Sequence, residues 1–101
     1  MRRGEIYRFE PVINRPGQST KRLVVSADAV NDNERIPYCF AMHVVDDPPD
    51  SLLAVSLGDH GWAFALETDR PLKRQLTEQL DTATPEQMEQ VDNAMRAVFE
   101  L

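Results

Sequence analysis

The residues able to carry chemistry are few and unevenly placed. Arg2, Arg3, Arg8, Arg15, Lys21 and Arg22 stand within residues 1–25 against only Glu5 and Glu10, while acidic residues concentrate after Asp28. A net charge of −6 argues against a general nucleic-acid binder, which needs excess cation to neutralise phosphates. It leaves room for a local basic surface on an acidic protein. The two imidazoles are His43 and His60, and an ordinary pKa of about 6.5 suits such a ring to proton transfer. His43 lies in an apolar run and reads first as a structural histidine, with general acid or base as its chemical alternative. His60 sits in Gly58-Asp59-His60-Gly61 and reads as an exposed turn residue. Asp46, Asp47 and Asp50 flank two prolines and read as a solvated loop rather than a metal cluster. Trp62 and Phe64 could offer bases a stacking platform, but core or dimer packing is the simpler reading. No Walker loop, Rossmann glycine pattern, zinc-type Cys/His spacing or nucleophile elbow is present.

The scaffold that must position these groups is small. With 101 residues, 42% hydrophobic and 28% charged, the chain reads as a single domain over residues 1–101 with a modest core, for which oligomerisation would bury more apolar surface. The lone Cys39 excludes an internal disulfide, reads as an inert buried thiol and fits a reducing cytosol. No apolar run approaches the ~20 residues of a membrane span. The opening arginines are followed by no signal-type apolar region, so the expectation is a cytoplasmic protein.

Periodicity predicts a strand over residues 4–12, where Tyr7 and Phe9 alternate with Arg8 and Glu10 as core-facing residues. A polar loop over 13–20 turns at Arg15-Pro16-Gly17. Leu23-Val24-Val25, within a strand over 21–26, is apolar on both faces and predicts a central position. A short helix capped by Ser26 or Asp28 follows. Further strands are expected at 37–45, 52–57, 62–67 and 73–79, with 52–57 and 62–67 joined through the Gly58–Gly61 turn. The clearest local signal is Thr84-Pro85-Glu86-Gln87, a capping box with Pro at the first helical position. Met88, Val91, Met95, Val98 and Phe99 then recur at helical spacing. The fold class is therefore α+β, mainly β: a small antiparallel barrel with a C-terminal amphipathic helix.

Three segments resemble the MazF/PemK toxins of type II toxin–antitoxin pairs: Met1-Arg2-Arg3-Gly4-Glu5-Ile6-Tyr7, Val24-Val25-Ser26-Ala27-Asp28-Ala29-Val30-Asn31, and Leu80 to Leu101. The resemblance implies an SH3-like, CcdB/MazF-like barrel, a homodimer, and a metal-independent endoribonuclease acting on single-stranded RNA with no cofactor. It also implies a cognate antitoxin that blocks the RNA groove. In such cleavage the ribose 2′-hydroxyl attacks phosphorus, so a proton must move and phosphate charge must be stabilised. The family places an Arg at the start of the second strand for that charge. Counting back from Ser26, Thr20 takes the Arg position and Lys21 the adjoining Pro position, while Arg22 lies about 7 Å further along the same strand face. The resemblance thus implies Arg22 as catalytic cation, helped by Lys21 and Arg15, with Thr20 and Ser26 as groove hydroxyls. Val45 falls where the family has a hydroxyl, which leaves His43 to supply proton transfer. The alternative is a non-catalytic toxin or a CcdB-like gyrase poison, for which the ending Phe99-Glu100-Leu101 is an imperfect match.

Overall fold

Ile6, Leu23 and Met42 alternate with Tyr7, Val24 and Ala41 along three short runs, and this alternation builds a sheet buried on both faces. A computed structural model describes residues 1–100; Leu101, and with it the last residue of the expected C-terminal motif, lies outside the described residues. The strands are β1 (Glu5–Phe9), β2 (Lys21–Val24), β3 (Ala41–Val45), β4 (Ala54–Ser56), β5 (Trp62–Asp69) and β6 (Leu76–Thr82). The helices are α1 (Asp28–Asn31) and α2 (Pro85–Phe99). The strands form one antiparallel sheet in the order β4-β5-β3-β2-β1-β6, so β2 is central, as its two-sided apolar run requires.

Ile6, Leu23, Val25, Met42, Val44, Val55 and Ala63 face α2, while Phe9, Val24, Cys39 and Leu76 form a smaller core on the other side, joined by Tyr7. Expected strand ends shift where turns intervene. Residues 73–75 make a 3₁₀ turn, with the Gln75 carboxamide accepting from Leu72 N–H, and β6 therefore runs three residues later than expected, over Leu76–Thr82. Helix α1 has no side-chain cap: Ser26 instead donates to Asn31 Oδ1, and Asp28 accepts the Arg3 N–H at 2.9 Å.

Helix α2 begins as read. Thr84 Oγ1 accepts from Gln87 N–H at 3.1 Å and Gln87 Oε1 accepts from Thr84 N–H at 2.8 Å. Val91 and Ala94 are buried and Met88, Met95 and Val98 pack beside them. Phe99 is exposed, contrary to expectation: successive helical residues are ~100° apart, and Val98 already takes the inward place. Thr84→Ala should cost about 1 kcal/mol, read as a fall in Tm of roughly 4–8 °C. Among the described residues no helix is long and apolar enough to cross a membrane.

Cys39 is fully buried, and that burial pushes its thiol up to about 11. Alkylation by iodoacetamide at neutral pH should be undetectable in the native protein and rapid in denaturant.

Candidate active site

The register of β2 on β3 sets Arg22 directly opposite His43. Both side chains lie on the face away from α2, because Leu23 and Met42 take the other. Arg22 is 1% exposed. Its Nη1 donates to the carbonyls of Ser19 (3.1 Å) and Lys21 (3.0 Å), and its Nη2 lies 3.4 Å from Asp69 Oδ2. The guanidinium carbon sits 3.9 Å from the centre of the Phe9 ring. Burial lowers the Arg22 pKa from its ordinary value and the Asp69 carboxylate opposes that. Nη1 and Nη2 turn inward, beneath the surface, and Nε is buried with no hydrogen-bond partner.

His43 stands between two carboxylates. Its Nε2 is 2.9 Å from Asp69 Oδ2 and its Nδ1 is 3.2 Å from Glu67 Oε2. Burial would raise the Asp69 pKa, but the His43 hydrogen bond and the Arg22 charge outweigh it and hold the carboxyl below its usual value. Neither acid was identified from sequence. Their spacing of two residues places both on one strand face, yet the strand was expected to stop at Glu67. Their approach also depends on a bulge: Met42 pairs with Thr68 but His43 pairs with Phe64, so residues 65–67 have no partner on β3. Thr68 Oγ1 closes the bulge by donating to the Ala65 carbonyl at 2.8 Å.

A groove of about 410 Å³ runs between residues 17–21 and 44–47, lined by none of Arg22, His43, Glu67 and Asp69. Thr20, Lys21 and Val45 line it. Lys21 Nζ donates to the His60 carbonyl at 2.8 Å and lies 3.7 Å from Asp46 Oδ1. Ser19 joins groove to cluster: its hydroxyl donates to the Val44 carbonyl, and its own carbonyl receives Arg22. Arg15 is exposed in the β1–β2 loop and makes no ion pair among the described residues. Ser26, expected as a groove hydroxyl, is buried, donates to Asn31 Oδ1 and accepts from Phe40 N–H. His60 is also more than an exposed turn residue: Nε2 lies 2.8 Å from Asp81 Oδ2 and ties the β4–β5 turn to β6. Trp62 and Phe64 are partly buried on β5.

No family model matches the chain, and no curated protein matches it in sequence. Solved structures do match. An endoribonuclease in complex with its cognate antitoxin, from a mycobacterial species, is 22% identical with a TM-score of 0.83, covering 100% of this chain and 96% of that one. MazF from Deinococcus radiodurans is 17% identical with a TM-score of 0.80, covering 100% and 97%. A MazE–MazF structure from the same organism is 17% identical with a TM-score of 0.81, covering 100% and 96%. The chain has the MazF fold.

Proposed function

We propose that this chain is the toxin of a type II toxin–antitoxin pair, an endoribonuclease that cleaves single-stranded RNA in the cytoplasm without a metal ion and is held in check by a cognate antitoxin. It acts as a homodimer, the usual state of the fold. The observation that carries the reading is the facing of Arg22 and His43 across β2 and β3, linked through Ser19 to a groove lined by Lys21, on a fold matched over the whole of this chain by an endoribonuclease.

In the proposed reaction an RNA strand crosses β2 and β3 with its scissile phosphate at His43 and its backbone against Thr20, while Lys21 in the adjoining groove adds positive charge. Arg15 on the neighbouring loop adds cationic attraction. His43 takes the 2′-hydroxyl proton as the 2′-oxygen bonds to phosphorus. Arg22 contributes positive charge from below, in surroundings where low dielectric strengthens it. The bond from phosphorus to the 5′-oxygen then breaks as the His43 imidazolium returns its proton to that oxygen. The products are a 2′,3′-cyclic phosphate and a 5′-hydroxyl.

The test is incubation of the purified protein with single-stranded RNA in EDTA, with product ends analysed. Discrete fragments carrying those ends are expected, and His43→Ala should slow their formation about 100-fold or more. RNA left intact by the wild-type protein, or cut equally fast by the variant, overturns the reading.

A further inference from the structure

The two carboxylates at His43 are not equivalent. Asp69 is fixed: the same Oδ2 that meets His43 Nε2 also faces the Arg22 guanidinium, which is itself immobilised by two carbonyls and the Phe9 ring. Its other oxygen, Oδ1, is buried with no hydrogen-bond partner, so the carboxylate has turned its bonding capacity toward the histidine and arginine. Glu67 has His43 as its only ion-pair partner among the described residues, its side chain is 49% exposed, and it rides on the bulge. A ligand can displace Glu67 far more easily than Asp69.

We infer that Asp69 is the positioning residue of this site: it pins His43 through Nε2 and anchors on buried Arg22, leaving Nδ1, covered by Glu67 in the free protein, as the nitrogen that exchanges protons with substrate. The inference rests on the RNA-cleavage reading for its chemistry and on geometry alone for its tautomer. A ring that donates Nε2–H to Asp69 presents a lone pair at Nδ1. With Glu67 moved aside, Nδ1 accepts the 2′-hydroxyl proton while the 2′-oxygen–phosphorus bond forms. The resulting imidazolium returns that proton to the 5′-oxygen as its bond to phosphorus breaks, so protons and electron pairs balance with no further reactant. Asp69 stabilises the imidazolium in between without taking its proton.

The test reads the ring directly. Long-range ¹H–¹⁵N correlation on ¹⁵N-labelled protein, recorded at alkaline pH, should show His43 protonated on Nε2. Asp69→Asn should abolish that preference and lower kcat for RNA about 100-fold or more with little change in KM. Glu67→Gln should keep the Nε2–H tautomer. A wild-type ring protonated on Nδ1, or a tautomer unchanged by Asp69→Asn, overturns the inference. The wild-type spectrum decides the matter even if the variant fails to fold. Inactivity of the wild-type protein on RNA would remove the nuclease reading while the spectrum still decides the role of Asp69.

Discussion

Replacing Arg22 by methionine should destabilise the protein by about 3 kcal/mol, toward the lower end of what removing one member of a buried ion pair costs. Three losses combine: the contact with Asp69, two hydrogen bonds to the carbonyls of Ser19 and Lys21, and the stacking on Phe9. The lower end applies because the Asp69 side chain is 39% exposed and keeps His43 as a partner. For a domain of this length the fall in Tm should be roughly 15 °C. Lysine should recover less than half of it, since one ammonium cannot serve two carbonyls and a carboxylate with the geometry of a fork. The double variant with Asp69→Asn should lose less than the sum of the single variants, with a coupling of about 1 kcal/mol or more.

The pH dependence of that cost has a definite sign. Asp69 has a folded-state pKa held below its unfolded value, so its contribution is fully present above the unfolded value of about 3.9 and is lost as pH falls through the folded one. Once Asp69 is protonated, Arg22 loses its partner in the wild-type protein as well. The penalty for Arg22→Met should therefore shrink as the pH drops below about 4, measured by denaturant unfolding at neutral and acidic pH. A penalty independent of pH would mean that packing on Phe9, rather than the ion pair, carries the stability.

What could be read from the chain follows how local each device is. The α2 capping box needs only residues 84–87, and it forms as written. The facing of Arg22 and His43 needs only strand alternation and antiparallel pairing. The burial of Arg22 was not legible, because it depends on Phe9 from β1 and Asp69 from β5 closing over one guanidinium. The carboxylates escaped notice for a related reason: periodicity has no means of announcing a bulge, and the bulge at residues 65–67 sets how β5 meets His43. Ser26 misled in the opposite way. Its position anchored the resemblance, yet the hydroxyl is used locally to join Asn31 to the Phe40 backbone.

The turn before β5 holds the second large effect. Gly58 and Gly61 look interchangeable in the sequence, and both have positive φ, at 68° and 107°. Only one is sterically obligatory. A Cβ on Gly58 would meet nothing within 4 Å, whereas one on Gly61 would stand 2.2 Å from the Val45 carbonyl oxygen. That oxygen belongs to the end of β3, where Val45 pairs with Trp62, and neither backbone can yield without opening the ladder. Gly58→Ala should thus cost about 1–2 kcal/mol, the ordinary charge for a left-handed residue with a side chain. Gly61→Ala should cost about 4 kcal/mol or more, since backbone strain of ~1–3 kcal/mol adds to the lost pairing. Thermal unfolding of the two variants side by side checks the difference. The consequence reaches the groove, because Val45 and Asp46 form one wall of it and Lys21 is held to the His60 carbonyl, one residue before Gly61. Gly61→Ala should therefore weaken single-stranded RNA binding even below its lowered Tm, while Gly58→Ala leaves it intact. Equal effects of the two on binding would show that the β4–β5 turn does not set the groove wall.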